Sequence, residues 1–382
     1  MMRIAIIGAG MAGVSLAKAL VNHADVTVFE KARGVGGRMA TRYQDQFSFD
    51  HGAPFFTQRS ERFAMSLAAA KDAGVITSWQ PNVVNLSLSP SAEIKVVKSG
   101  YEPVWLAQPK MTQWAKWQLA QLQSPAGSMQ ATGHGAEQAA SEKKPVGFSI
   151  RMATRVAKLV RYGEQWQLFS IDDENLGCYD WVVSTAPVEQ TRELLYPLLP
   201  ERPFDSAEIV GCFSLMLGFE PNQAITECSW DVAYCDHPII ERLIWNHRKP
   251  NRDSGLSLVV NAQNSWSQTH IDQPEEWVVE QILAAIKALF PAAAQKTSYM
   301  RLQRWRYAQV SQAMKAGKTQ WHEQGFYCHV EKRLAVCADW CLSGRVESAF
   351  LSAQGLADKL LSDLAQHADR ASKAAPSAYL KG

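Results

Sequence analysis

The sequence predicts a doubly wound α/β domain interrupted by an α+β domain built on an antiparallel sheet. Three observations carry that prediction. The chain opens with an apolar run, Arg3-Ile4-Ala5-Ile6-Ile7, a glycine turn, a helical pattern from Val14 to Val21, and a second apolar run ending at Phe29. A late apolar run, Leu334 to Ala338, precedes another helical pattern from Ser348 to Leu364. Between them lie alternating segments such as Val83 to Leu88 and Ile94 to Val97, which read as half-buried strands.

The opening elements follow from their residues in order. Short apolar runs bounded by turn residues suit strands covered on both faces. Gly8-Ala9-Gly10-Met11-Ala12-Gly13 has the spacing of a dinucleotide-binding turn. Gly8 permits the tight turn, Gly10 lets the backbone approach a pyrophosphate, and Gly13 lets the helix pack on the strand. The N-terminus of the helix that follows points free N–H groups and its dipole at the phosphates. Glu30 ends the second strand, close to the ~20-residue spacing expected of an acid that accepts both hydroxyls of an adenosine ribose. Lys31 stands beside it. NAD and FAD both fit this Rossmann-type half-site.

The next segment separates the two ligands. Lys31 to Thr41 holds a second glycine pair, Gly36-Gly37, followed by Arg38-Met39. Glycines admit a close approach, and Arg38 offers a planar fork to a phosphate. NAD needs no such second clamp. Phe49-Asp50-His51-Gly52-Ala53-Pro54-Phe55-Phe56-Thr57 follows. These three blocks, in this order, resemble the flavin-containing amine oxidase superfamily, and within it the renalase-like bacterial enzymes. Asp180-Trp181-Val182-Val183-Ser184-Thr185-Ala186-Pro187 is similar to the family's strand that returns to the cofactor domain. Arg304-Trp305-Arg306-Tyr307-Ala308 resembles a motif of the renalase-like branch. Ala338-Asp339-Trp340, then Ser343 to Ala349, resembles the family's closing block.

The resemblance implies FAD, bound non-covalently. It assigns the cofactor to Gly8, Gly10, Met11, Ala12, Gly13, Glu30, Lys31, Gly37, Arg38, Met39, Gly52, Ala53, Pro54, Phe55, Val156, Asp339 and Val346. Val156 sets its backbone against the adenine, and Asp339 meets the ribityl or pyrophosphate region. Three positions depart from the pattern. Pro54-Phe55 stands where relatives carry Gln-Tyr, Ala338 replaces a Gly, and Pro109-Lys110-Met111 stands for Pro-Gly-Met. The first change puts substrate identity with the renalase-like branch in doubt.

Composition narrows the class. The 382 residues are 47% apolar and 20% charged, the balance of an ordinary globular chain longer than one average domain. A net charge of +2 gives no basic stripe for nucleic acid. The expected partners are a small-molecule substrate and dioxygen, with neither nucleic acid nor membrane; oligomeric state is left open. The opening residues could suggest a secretory signal, but only the nucleotide reading also explains the glycine spacing and Glu30. Seven scattered Cys without CxxC spacing predict reduced, mostly buried thiols in a cytoplasmic protein and no metal site. The 13 Trp read mostly as core.

The expected division is discontinuous. Residues 1–77, 150–204 and 322–366 form the cofactor domain, and 78–122 with 205–321 the substrate domain. Met111 to Leu122 reads as a helix of the latter. Residues 123–149, rich in Ala, Gly, Ser and Gln, read as an exposed insertion in which His134 is solvated. Residues 367–382 read as a frayed tail.

The family resemblance implies hydride transfer from a reduced small molecule to the flavin, with dioxygen as acceptor and hydrogen peroxide as product. The renalase-like branch points to a dihydronicotinamide donor. An amine donor, or a flavin-binding regulatory protein without turnover, is the alternative. No catalytic acid–base residue is compelled, since a dihydropyridine needs only orientation. Pocket candidates are His51, Phe56, Trp305, Arg306 and Tyr307, against plainer roles: a structural His, core aromatics, and an Arg in a salt bridge. His247-Arg248-Lys249 reads as a solvated basic loop.

Overall fold

The apolar runs near both ends of the chain pair side by side in a computed structural model of the protein. It describes residues 1–88, 94–100, 102–123, 147–221, 228–252, 255–294, 297–314, 321–322 and 325–374. One seven-stranded sheet has the order Trp321–His322, Phe326–His329, Leu334–Val336, Trp181–Ser184, Arg3–Ile7, Asp25–Phe29, Phe148–Arg151. Its five strands from Leu334–Val336 to Phe148–Arg151 are parallel. The order reverses between Arg3–Ile7 and Trp181–Ser184, and a ligand crevice forms at the carboxyl ends beside such a switch. Helix Met11–Leu20 covers one face, and its residues Leu16, Ala17 and Leu20 are fully buried. A small sheet of Val156–Tyr162, Gln165–Ser170 and Asn175–Tyr179 covers the other side.

A second seven-stranded sheet has the order Tyr299–Gln312, Glu208–Phe219, Leu256–Ala262, Ile240–Trp245, Val232–Asp236, Val83–Leu88, Ile94–Ser99. Its pairs are antiparallel except one: Val83–Leu88 runs parallel to Val232–Asp236. The sheet expected to be antiparallel is therefore mixed at the point where the early segment joins the later one. Helix Glu275–Leu289 packs its Val278, Ile282, Ile286 and Leu289 face on it.

Three boundaries differ from expectation. Strand Phe148–Arg151 of the parallel sheet begins inside the segment 123–149 expected to be an insertion, because Phe148 and Ser149 pair with Val26 and Thr27. Helix Gln113–Gln123, assigned above to the substrate domain, packs Ala115 and Leu119 on Val14 of the first helix. Strand Val104–Ala107 returns with it and pairs with Ile76–Trp79. The apolar face of that helix, not its place in the chain, decides its neighbour. The last helix runs from Val346 to Ala374, so the chain remains helical past Leu364 and into the segment expected to fray. Of the expected insertion, residues 124–146, with His134, lie outside the described residues. Among the described residues, no helix is long and apolar enough to cross a membrane.

Candidate active site

The three glycine-containing blocks fold against one another. The Gly36 N–H donates to Ala9 O at 2.9 Å, and the Ala53 N–H donates to Arg38 O at 2.7 Å. Gly13 and Gly52 have no room for side chains. A Cβ on Gly13 would lie 1.9 Å from Gly8 O, and one on Gly52 would lie 2.0 Å from Arg38 O. Gly8 turns at φ +114°, where a Cβ would meet Thr185 Oγ1 at 2.6 Å. Gly10 differs: a Cβ there, as at Gly34, would meet nothing within 4 Å. Its backbone faces open space at the start of a helix, which is what a pyrophosphate needs.

That space is part of a cavity of about 1440 Å³ that runs along both domains. Glu30, Lys31, Val156 and Ile171 line it, as do Gly8, Gly10, Met11, Ala12, Gly37, Arg38, Met39, Asp339 and Val346. His51, Gly52, Ala53, Pro54, Phe55 and Phe56 line it too, together with Ser214, Arg242 and Asn261 of the second sheet. All the cofactor positions expected from the sequence border this cavity except Gly13, which is spent on helix–turn packing.

Three of these residues do more than was expected. Glu30 is buried, and its two oxygens accept the Ala9 and Ala32 N–H groups, each at 2.8 Å. The carboxylate braces the glycine turn. Arg38 Nη2 donates to Asp339 Oδ1 and Nη1 to Ala308 O, so its guanidinium is held by the closing block. Asp339 thereby connects to the cavity through Arg38, just before the helix that starts at Val346.

A family model described as flavin containing amine oxidoreductase matches residues 104–361, and an NAD(P)-binding Rossmann-like model matches residues 6–69. The chain belongs to the flavin-containing amine oxidoreductase family. It is a flavin-dependent oxidoreductase. A 4,4'-diapophytoene desaturase of Staphylococcus aureus is 46% identical over 52 residues, 13% of this chain and 10% of the desaturase. Among solved structures, a putrescine oxidase variant superposes with TM-score 0.68 at 10% identity, covering 95% of this chain and 99% of its own. Cyclohexylamine oxidase from Brevibacterium oxydans gives TM-score 0.65 at 13% identity over 94% and 99% of the chains. An oxidoreductase from Methanosarcina mazei gives 0.62 at 12% over 94% and 100%. At these identities the structural likeness establishes the fold alone.

The family's flavin edge is expected beside the loop from Asp50 to Phe55. Here that loop is fixed by a buried ion cluster which the sequence did not suggest. Asp50, Lys249 and Arg252 have fully buried side chains. Lys249 Nζ donates to Asp50 Oδ2 and to Pro54 O, both at 2.9 Å, and so spans the loop. Arg252 Nη2 donates to Asp50 Oδ2 at 3.0 Å and to Ala107 O at 2.8 Å. Thr41 Oγ1 donates to Asp50 Oδ1 at 2.6 Å. Burial alone would raise the Asp50 pKa, but the two cations outweigh it and hold the carboxyl below its usual range. Burial pushes Lys249 down to about 8. The basic run at 247–249 is thus no solvated loop: Arg248 is also engaged, by Cys228 O, Trp230 O and Asp231.

The remaining candidates divide. His51 is buried, stacks on Trp305 at 5.3 Å and 22°, and accepts the Trp305 Nε1–H at its carbonyl, 2.9 Å. Burial, with Arg42 nearby, pushes its pKa down to about 4, so the ring is neutral at physiological pH. Its Nδ1 has no partner. Phe56 belongs mainly to the core, stacked on Trp114 at 5.2 Å. Tyr307 borders the cavity and packs on the small-sheet core. Arg306 also borders the cavity, but its exposed guanidinium pairs with Asp272 at 2.8 Å. Among the described residues Trp305 is the one tryptophan that lines the cavity, while Trp79, Trp114, Trp166, Trp181, Trp230, Trp245 and Trp340 are buried in the core.

Proposed function

We propose that this enzyme binds FAD non-covalently and oxidises a small planar donor of the dihydronicotinamide type, with dioxygen as electron acceptor. The observation that carries this reading is the flat His51–Trp305 stack on the wall of the cavity that the Asp50–Phe55 loop also lines. When bound, FAD supplies a two-electron acceptor whose reduced form can be reoxidised by dioxygen to give hydrogen peroxide. The chain's own residues do the rest. Glu30 and Arg38 hold the nucleotide, the Lys249 cluster fixes the loop, and the aromatic stack orients a ring and keeps water out. At pH 7 His51 has no imidazolium proton to give and is only a weak base, which suits a donor that needs only orientation.

Non-covalent binding is supported by the available nucleophiles. Cys212 is the only cysteine bordering the cavity; it is buried, and burial pushes its thiol up to about 12. The seven unpaired cysteines support a reducing, cytoplasmic setting. We take the partners to be small molecules and not nucleic acid. The test has two parts. Denaturation should release FAD into the supernatant, identified by chromatography. Anaerobically, dihydronicotinamides should bleach the flavin, and air should restore it with peroxide release. Bleaching by amines alone would transfer the enzyme to amine oxidation. Recovery of FMN, or flavin retained in the precipitate, would overturn the cofactor assignment.

A further inference from the structure

The substrate-domain wall of the cavity is a sheet whose rungs change character. On one rung Met216 pairs with Val259 and Val259 with Ile244, all fully buried between the domains. On the next rung of that face Ser214 pairs with Asn261 and Asn261 with Arg242. Paired residues share a face, and these three border the cavity. Polar side chains therefore begin where the sheet leaves the interdomain core.

This rung is incompletely satisfied. Asn261 is 4% exposed; its Nδ2 donates to Ser214 Oγ at 2.8 Å, while its Oδ1 is buried without a partner. Native interiors rarely leave such an atom unpaired unless a ligand or water completes it. Arg242 lies over the Phe55 and Tyr234 rings, at 5.9 and 5.7 Å, and its Nε is also buried without a partner. Arg42, which lines the cavity near His51, likewise has its Nε buried without a partner, whereas two other cations are already used. Arg304 donates to Ile271 O and Gln273 O, each at 2.7 Å, and Arg306 pairs with Asp272. Glu241, in the bulge between Ile240 and Arg242, adds a carboxylate to the same wall.

We propose that Asn261, Glu241 and Arg242 select a donor that carries an N–H group and an acid group on one small molecule. The N–H meets Asn261 Oδ1 and Glu241; the carboxylate or phosphate meets the Arg242 guanidinium, whose aromatic stacking leaves its edge for an acid. A donor without the acid leaves a half-buried cation unpaired, so selection acts against it as well as for the acid-bearing one. This rests on the reading of the cavity as the oxidation site.

The test uses the flavin-loaded full chain and two donor pairs, each with and without an acid. One pair is dihydronicotinamide mononucleotide and N-methyl dihydronicotinamide; the other is γ-aminobutyrate and putrescine. The acid-bearing member of the accepted pair should be preferred by at least about tenfold in kcat/KM. Arg242→Met should erase most of that preference through KM, Arg242→Lys should restore part of it, and Asn261→Leu should raise KM for both members. Visible flavin absorbance checks that each variant keeps its cofactor. Equal use of the two members by the wild type overturns the inference, as does a preference that survives Arg242→Met. Failure of all four donors to bleach the flavin overturns the functional reading itself.

Discussion

Gly10 and Gly13 lie three residues apart and carry opposite constraints. Gly13 faces Gly8 O, so any side chain there forces the helix off the strand. Gly10 faces only the cavity. Gly10→Ala should therefore fold normally and lose flavin affinity, whereas Gly13→Ala should fail to give stable protein. Circular dichroism beside flavin occupancy separates the two; a Gly10→Ala protein with full flavin would take that turn out of the cofactor site. His51 gives a pH signature. Its folded pKa, about 4, lies below the usual 6.5, so folding is weakened as protons bind the unfolded chain. Stability from this group is complete above the unfolded value and declines as pH falls from about 6.5 to about 4, by up to about 3 kcal/mol. His51→Phe should flatten denaturant midpoints across that window. An unchanged slope would mean that the ring protonates freely.

At the scale of elements, the loop from Asp50 to Phe55 is the part of the site held from furthest away. Lys249 holds it at two points and Asn246 at its start, where Asn246 Oδ1 accepts the Asp50 N–H at 3.2 Å. Lys249→Met keeps the apolar stem, leaves Asp50 paired with Arg252 and releases Pro54 O. The variant should fold with a loss of about 1–3 kcal/mol, and its flavin spectrum or affinity should shift because Pro54 and Phe55 border the cavity. A spectrum and affinity identical to wild type would reduce Lys249 to a purely structural role. This loop also marks the limit of what the sequence revealed. The glycine turn, Arg38 and Glu30 were legible because their partners are close in the chain or their spacing carries the geometry. The cluster joins Asp50 to residues 196 to 202 positions away, and no local period records such a pairing. His247-Arg248-Lys249 looked solvated because three basic residues in a row ordinarily are; only the distant acid makes Lys249 tolerable in the interior. The Asn261 rung was equally hidden, since its meaning lies in strand register. The helix Gln113–Gln123 was found but misassigned, because chain order does not say which apolar face it meets.

Over the whole molecule, the domains are joined by polar contacts as well as by apolar packing. Asp50 meets Lys249 and Arg252, Asn246 Nδ2 donates to Ser48 O at 2.9 Å, and Trp305 Nε1 donates to His51 O. Phe47 and Phe49 lie on Met216 and Val259 of the second sheet. Such coupling should make the two domains unfold together. Asp50 is the node, because its single carboxylate is the acid paired with two cations that have no access to water. Asp50→Asn leaves both facing a neutral amide, which is worse than losing one cation, since the acid in Lys249→Met still has a partner. Removing one member of a buried ion group typically costs about 3–5 kcal/mol. Asp50→Asn should therefore lower Tm much more than Lys249→Met, and its calorimetric transition should broaden or divide as the domains uncouple. Combining the two substitutions should cost less than their sum, because the second removes a charge that the first left stranded. Scanning calorimetry of the single and double variants, with flavin present at a fixed concentration to hold its own stabilising effect constant, reads all three outcomes. A single sharp transition in Asp50→Asn, displaced no further than in Lys249→Met, would show that apolar packing alone holds the domains together.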